Sequence, residues 1–158
     1  MMKKTLREVL DKRGFFQEYN NWYVLEDSFS WNLDILQREV FQCMETFVDV
    51  PIVFCDTCDA NKIAADLGQE EAEIFLFSSG MYWREIRVIF IFSFNDYYEL
   101  LQTIFHELRH VMQEEITEFS TAFEEDKYRP YSERLTEIDA FHYADYCLRK
   151  FIFSLVEN

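Results

Sequence analysis

The chain has 158 residues, of which 49% are apolar and 18% are aromatic, with only three glycines and two prolines. This composition excludes a disordered or collagen-like chain and is sufficient for one hydrophobic core, so we expect a single domain over residues 1–158. Thirty acidic and fifteen basic residues give a formal charge of −15, which disfavours direct binding to the negatively charged backbone of nucleic acids.

The expected compartment is the cytoplasm, without contact to a membrane. The first residues are charged throughout and lack the apolar stretch of a secretory signal. The longest apolar run, residues 88–92, is far shorter than the roughly 18 residues of a membrane span. Cys55 and Cys58 form a C-x-x-C pair with no second pair to complete a structural zinc site, so we predict reduced thiols. The oligomeric state is not evident from the sequence.

The first part of the chain alternates between helical and strand patterns. Apolar spacing and the positions of Gly14, Pro51 and Gly68 predict four elements, namely a helix over 3–13, a helix over about 31–47, a strand over 50–55 and a helix over 60–67.

The next elements are predicted to be two strands and two long helices. Residues 73–77 and 85–94 are rich in branched and aromatic side chains, and residues 78–80 provide a turn that would join them as a hairpin. A helix is predicted from Asn95, as N-cap, to about residue 119, and another over 132–156. The expected fold class is α+β, with a small, mostly antiparallel sheet packed on helices.

The first of these long helices contains the sequence HELRH. Its residues His106, Glu107 and His110 have the H-E-x-x-H spacing. Histidines four positions apart lie on one helix face, where both rings can bind one zinc ion. The intervening Glu107 is then placed to accept a proton from water activated by that ion, as a general base. On a helical wheel the histidines lie opposite the apolar side and share a polar side with Glu99, Gln113 and Thr117.

A third zinc ligand is expected from the last helix. Glu137 lies in the middle of its apolar face, where an unpaired charge would be costly, so this residue is predicted to bind the metal. The alternative for Glu137 is an ion pair with Arg109. Glu133 is the reserve ligand, and Asp139 and His142 lie away from the apolar face.

The HELRH sequence, followed 27 residues after His110 by the Glu of TEIDAFHYA, resembles the gluzincin type of zincin-like metallopeptidase. The phrases also resemble small bacterial and phage-encoded zincin-like proteins, including the ImmA/IrrE peptidase group. The resemblance covers residues 85–150 and implies a zincin-like fold, with zinc held by two histidines and a downstream glutamate. The sequence departs from that group at Ile138, where a small residue is usual, and at Arg109, where glycine is common.

The function predicted from these residues is a zinc metallopeptidase. His106, His110 and Glu137 hold Zn²⁺, and Glu107 passes a proton from water to the leaving amine of a peptide or protein substrate. The oxyanion donor is left open among Tyr128, Tyr131, Tyr143 and His142. The strand over 85–94 either pairs with an extended substrate or is a central strand.

Two other functions remain open from the sequence. A non-catalytic zincin-like protein would use its acidic surface to dock a basic partner or to mimic the charge of nucleic acid. The acidic residues that suggest this function are Glu114, Glu115, Glu118, Glu124, Glu125 and Asp126. A zinc hydrolase acting on a substrate other than a peptide would use the same ligands.

Overall fold

A computed structural model of the chain describes residues 4–44, 46–70, 78–116, 119 and 121–156. The helices in these ranges are α1 (Leu6–Arg13), α2 (Leu33–Met44), α3 (Thr57–Asp66), α4 (Tyr97–Gln113), α5 (Ala122–Asp126) and α6 (Leu135–Val156). The strands are β1 (Gln17–Tyr19), β2 (Trp22–Val24), β3 (Ile52–Phe54), β4 (Gly80–Trp83) and β5 (Val88–Ile91). The architecture is α+β, as the sequence predicts.

The five strands form one mixed sheet in the order β1-β2-β3-β5-β4. The two outer pairs are antiparallel, whereas β3 is parallel to both of its neighbours. The prediction of a mostly antiparallel sheet therefore needs correction. Helix α2 connects β2 to β3, and such a helical crossover returns the chain in the same direction.

Both faces of the sheet are covered by helices. Alternate residues of β2, β3 and β5 pack into a core with α2, α4 and α6 on one face and into a second core with α1 and α3 on the other. All four residues of β5 are consequently buried, which explains the continuous apolar run in the sequence. Strand β5 is thus central and does not offer an edge to a substrate.

The hairpin that ends in β5 differs from the prediction. Its other strand is β4, and the turn lies at residues 84–87, where Arg87 has a positive φ of 53°. The predicted turn at residues 78–80 is wrong in part, because Gly80 is the first residue of β4. The predicted strand over 73–77 lies outside the described residues.

Gly80 is needed for close packing. A Cβ atom at this position would lie 2.8 Å from Cγ2 of Thr103 on α4 and 3.1 Å from the carbonyl oxygen of Phe90. Both distances are shorter than an ordinary carbon contact of about 3.5 Å or more. Glycine therefore permits β4 to approach the helix that carries the HELRH sequence.

Strands β1 and β2 are absent from the predicted elements. They form a hairpin whose two turn residues, Asn20 and Asn21, have φ values of 42° and 74°. Asparagine is one of the few residues that adopts this left-handed conformation readily, and two in succession suit a two-residue hairpin turn. The strands themselves have three residues each, which is too short for a periodic pattern to be evident.

Helices α4 and α6 begin later than predicted. The side chain of Asp96 caps α4 by accepting from the N–H of Glu99, so the cap is one residue beyond Asn95. Helix α4 ends at Gln113, well before residue 119. Residues 131–133 form a 3₁₀ turn, and α6 starts at Leu135. No helix in the described ranges is long and apolar enough to cross a membrane.

Helix α6 packs along α4. Its buried side includes Ala140, Ala144, Cys147 and Phe151, with Glu137 one turn before Ala140. The small alanine side chains permit close approach of the two helices, so the carboxylate is held against α4.

Candidate metal centre

Helix α4 places both histidines of the HELRH sequence on one side, towards α6. Their rings lie 4.9 Å apart between centroids and are almost perpendicular, at 85°. His106 and Glu107 are buried, each with 7% of the surface exposed, and His110 is partly buried. The part of the polar side that contains the two histidines and Gln113 is therefore covered by packing, although Glu99 on the same side is exposed. A helical wheel gives the direction of a side chain but not what packs against it.

Glu137 meets both histidines. Its Oε1 atom lies 3.1 Å from Nε2 of His106 and 2.7 Å from Nε2 of His110. Ligand atoms around a tetrahedral zinc at 2.0–2.1 Å are separated from one another by roughly 3.3 Å. Small outward movements of the three side chains would therefore create a zinc-sized space. The structure brings together all three predicted ligands, although their binding of a metal stays a prediction.

The other interpretations of the last helix do not match the structure. Arg109 pairs with Asp139 instead of Glu137, with its Nε 2.7 Å from Oδ2 and its Nη2 3.2 Å from Oδ1. Glu133, the reserve ligand, and His142 are both exposed. Since Arg109 and Asp139 neutralise each other, the charge of Glu137 is left to the histidines.

Gln113 fixes the proton of His110. The Nε2 group of Gln113 donates to the carbonyl oxygen of Thr136 at 2.8 Å and to Oδ2 of Asp139 at 2.9 Å. Both partners are acceptors only, so the amide cannot be turned round, and its Oε1 must accept from Nδ1–H of His110 at 2.9 Å. A neutral His110 therefore presents the lone pair of Nε2, the form that binds a metal ion.

The contact between His110 and Glu137 requires a positive charge. With the proton of a neutral His110 on Nδ1, two acceptors face each other at 2.7 Å. Burial opposes protonation of His110, but the hydrogen bond to Glu137 and the charge of Glu107 raise its pKa to about 9. Burial likewise disfavours the ionised Glu137, but hydrogen bonds from both histidines hold its pKa well below the usual range. A second proton on His110, or a cation between these atoms, meets the requirement.

His106 is oriented by packing. Its ring contacts Phe141 at 4.4 Å between centroids, and its Nδ1 atom is buried without a hydrogen-bond partner among the described residues. The polar contact of this ring in the described chain is therefore through Nε2, towards Glu137.

Glu107 lies beside the histidines on α4, but its side chain faces strand β4 of the sheet. Burial raises the pKa of its carboxyl group, although the histidines and the backbone amide of Tyr82 favour the charged form. Tyr82 is paired in register with Ile89, whose N–H donates to Pro51 on the other side of β5. The amide of Tyr82 therefore points away from β5, towards α4. A buried carboxylate with a raised pKa is suited to accept and release a proton.

Two cavities adjoin the centre. The His106 cavity, about 380 Å³, is lined by His106, Glu107, Gly80, Glu99, Tyr131 and Phe141 among others. The His110 cavity, about 360 Å³, is lined by His110, Glu137, Tyr82, Arg84, Phe123 and Arg134 among others. Strand β4, the outer strand of the described sheet, contributes to both linings.

Of the four candidate oxyanion donors, the structure brings Tyr131 to the site. This residue lines the His106 cavity although 54% of its surface is exposed, and partial burial of its hydroxyl group together with the carboxylates of Glu137 and Glu107 raises the pKa of that group. Tyr128 is 90% exposed, Tyr143 lies under the guanidinium of Arg109, and His142 is exposed.

The acidic residues that suggested a docking surface do not form one continuous solvated patch. Asp126 is only 4% exposed and caps α6, accepting from the N–H groups of Leu135 and Thr136 and from the hydroxyl of Thr136. Glu114 accepts from Tyr82 and pairs with Arg87. Glu115, Glu124 and Glu125 are exposed, and Glu118 lies outside the described residues.

The four cysteines are free thiols, of which Cys58 is exposed and the other three are buried. Burial raises the pKa of Cys55 well above its ordinary value, which keeps this thiol protonated. The C-x-x-C pair therefore consists of one buried and one exposed thiol.

Sequence reasoning did not foresee the supporting roles of Gln113, Asp139 and Tyr82. Gln113 follows the second histidine by three positions and lies one turn away on the same face, so its spacing was a usable signal. Asp139 and Tyr82 act through contacts between separate elements, and no local pattern indicates those contacts.

Comparison with known proteins assigns the chain to a family. No curated protein and no solved structure matches the chain. A family model described as a protein of unknown function, DUF3920, matches residues 24–154, which include every residue of the candidate centre. The His106, Glu107 and His110 ligand atoms lie within 4.8 Å of one another, in a group that could hold a metal ion. The chain thus belongs to the DUF3920 family and contains a possible His-Glu-His metal site.

Proposed function

We propose that the chain is a zinc-dependent hydrolase that cleaves peptide bonds. The observation that carries this proposal is the convergence of Glu137 Oε1 on Nε2 of both histidines, with Glu107 buried beside them. Two imidazoles and one carboxylate are a ligand set typical of catalytic zinc, which keeps one coordination position for water or substrate.

The donor chemistry of the site fits zinc. Gln113 holds the neutral His110 in the tautomer whose Nε2 is free to bind, and a cation between Nε2 and the facing carboxylate would take the place of the second proton on His110. A structural zinc site would have four protein ligands. Here three side chains converge and cavities adjoin them, which favours a site open to a substrate.

The residues of the chain supply the proton transfers and the orientation. When bound, zinc acts as a Lewis acid that lowers the pKa of water and polarises a carbonyl group. Glu107 accepts the proton of the attacking water and gives it to the leaving amine, a role that matches its burial and raised pKa. Tyr131 lines the adjoining cavity and its hydroxyl group stays protonated, which supports it among the candidate donors to a developing oxyanion.

A polypeptide substrate is favoured by the position of β4. An extended chain can add to the edge of a sheet through main-chain hydrogen bonds, and β4, the outer strand of the described sheet, lines both cavities. The resemblance of HELRH and TEIDAFHYA to gluzincins supports the same reaction.

The test measures zinc content and cleavage together. Protein purified without chelator is expected to hold about one zinc ion per chain and to cleave components of a mixed synthetic octapeptide library, with cleavage followed by mass spectrometry. Glu137→Gln is expected to weaken zinc affinity about tenfold or more, and Glu133→Gln, an exposed control from the 3₁₀ turn, is expected to leave it unchanged. Absence of zinc after reconstitution, or equal effects of the two variants, would contradict the proposal.

A further inference from the structure

The two cavities beside the centre differ in charge. The His110 cavity is lined by three basic residues, Arg84, Lys127 and Arg134. The lining of the His106 cavity in the described part of the chain contains no lysine or arginine, and its charged residues include Glu99. Since acidic residues outnumber basic ones by two to one in the whole chain, thirty to fifteen, the His110 cavity is a local reversal of charge.

Arg134 is the basic residue of this cavity with the least neutralised charge. Its Nε donates to the backbone carbonyl of Arg129 at 3.2 Å, and its guanidinium lies 5.9 Å from the ring of Tyr131. It forms no ion pair with any carboxylate that the structure describes. A partly buried guanidinium that is anchored but not ion-paired is ready to bind a carboxylate in bidentate fashion.

Arg84 and Lys127 are partly neutralised. Arg84 stacks over Phe123 at 4.2 Å and lies 3.6 Å from Glu114, which also pairs with Arg87. Lys127 pairs with Glu124 at 2.8 Å, with both side chains largely exposed. These two residues add positive charge to the cavity. Arg134 is the one whose guanidinium group has no ion-pair partner among the described residues and can bind a ligand.

The acidic residues that line the same cavity are already engaged. Asp126 accepts three hydrogen bonds at the start of α6, and Glu137 faces the two histidines. Neither carboxylate forms an ion pair with Arg134 in the described part of the chain.

From this asymmetry we infer that the His110 cavity binds an acidic side chain of the substrate polypeptide beside the bond to be cleaved, with Arg134 as its specificity-determining residue. This inference rests on the hydrolase function proposed above. The substrate class is then a polypeptide with aspartate or glutamate on one side of the cleavage site. The cavity of about 360 Å³ is large enough for one such side chain.

The binding test uses two fluorescein-labelled octapeptides that differ only in one central residue, glutamate or glutamine. Fluorescence anisotropy with the zinc-loaded Glu107→Gln variant is expected to show about tenfold tighter binding of the glutamate peptide, as for a hydrogen-bonded charge pair. Adding Arg134→Gln is expected to abolish this preference. Adding Arg149→Gln, which removes the same charge from an exposed position on α6, is expected to preserve it.

Three results would overturn the inference. They are equal binding of the two peptides, a preference that survives Arg134→Gln, and a preference that is lost equally in Arg149→Gln. Melting temperatures of both variants show whether a lost preference comes from unfolding. If Arg134→Gln is unfolded, Arg134→Lys is tested instead. This variant keeps the charge but lacks the paired N–H donors of the guanidinium group, so an intermediate preference is expected.

The cleavage test separates this inference from the proposed function. If the wild-type chain binds zinc and cleaves the octapeptide library without preference for an acidic residue next to the cleaved bond, the inference is wrong and the hydrolase proposal stands. If the chain neither binds zinc nor cleaves, the hydrolase proposal fails. A preference for the glutamate peptide that depends on Arg134 in chelator-treated protein would still support the acid-binding cavity.

Discussion

Within the residues that the structure describes, two groups of side chains have ligand atoms close enough to share one ion. One is His106, Glu107 and His110 on α4, and the other is Glu26, Asp56 and Asp59 around the start of α3. In both groups these atoms lie within 4.8 Å of one another. The two groups differ in what their atoms already do within the fold.

The acidic group is largely used by the fold itself. Asp56 caps α3 by accepting from the N–H of Asp59 at 2.7 Å, and the carboxylate of Asp59 pairs with Arg13. Burial, and then the charges of Asp56 and Asp59, raise the pKa of Glu26. On α4, by contrast, the Nε2 atoms face a carboxylate from another helix and Gln113 holds the opposite nitrogen of His110. Closeness of ligand atoms alone therefore does not identify a metal site. The α4 group differs because its Nε2 atoms contact Glu137, itself a possible metal ligand, whereas Asp56 and Asp59 cap a helix or pair with an arginine.

The sharpest test of this comparison removes one side chain from each group. His110→Ala is expected to reduce zinc content from about one ion per chain to background, because two remaining ligands do not hold zinc in competition with buffer. Asp59→Asn is expected to leave zinc content unchanged. Elemental analysis of both purified variants is the measurement, and loss of zinc from Asp59→Asn instead would reverse the assignment.

The next test separates binding from chemistry within the α4 group. Glu107→Gln is expected to keep zinc and to lower the cleavage rate about 100-fold or more, since a neutral amide cannot accept a proton from water. Zinc content and cleavage of the octapeptide library are measured on the same preparation. A variant as active as the wild type would remove Glu107 from the role of general base.

A smaller effect is expected from the residue that orients His110. Gln113→Leu is expected to weaken zinc affinity about 10-fold to 100-fold, because the ring loses the acceptor that fixes its tautomer. Gln42→Leu, the same change at an exposed position on α2, is the matched control. Affinity is measured by competition with a chromophoric chelator. The interpretation fails if both variants bind zinc as tightly as the wild type.

The smallest effect concerns two capping aspartates, Asp126 at the start of α6 and Asp56 at the start of α3. Asp126→Ala and Asp56→Ala are each expected to lower the free energy of unfolding by about 1 kcal/mol, a shift of roughly 3 °C in melting temperature. Only Asp126→Ala is expected to weaken zinc binding as well, because Asp126 anchors the first turn of α6, which contains Glu137. Calorimetry and the chelator competition measure the two effects.

The Asp126 effect should also depend on pH. Burial opposes ionisation, but the hydrogen bonds from Thr136 and Leu135 outweigh it and lower the pKa of Asp126. The carboxylate therefore stabilises the fold fully above about pH 4, the unfolded value, and the benefit disappears as the pH falls through the lower folded pKa. The stability difference between the wild type and Asp126→Ala is expected to shrink only in that acidic range.

The candidate centre could be predicted largely because its residues lie on regular helices. The spacing of His106 and His110 follows from the helical repeat, and the position of Glu137 follows from the apolar face of α6. That Glu137 would contact these histidines, and that Arg109 would pair with Asp139, depends on how two helices pack and has no local signature.

The sheet was predicted less well for a related physical reason. The order of its strands depends on pairings between distant segments, such as β3 with β5, and on three-residue strands whose sequences have no room for a pattern. Gly80 shows the difficulty in one residue. Residues 78–80 have the composition of a turn, yet Gly80 is the first residue of β4. Glycine is required there because α4 lies too close for a side chain.

That same glycine sets the spacing between β4 and α4. The hydroxyl of Thr103 is fixed on the carbonyl of Glu99, so its methyl group cannot swing away from a new Cβ at position 80 without breaking a hydrogen bond. One added methyl group would therefore have to move β4 away from α4, and with it the amide of Tyr82 that favours the charged form of Glu107. The pKa of Glu107 thus depends on the absence of a side chain at Gly80. This glycine lies two residues before Tyr82, whose backbone amide faces Glu107.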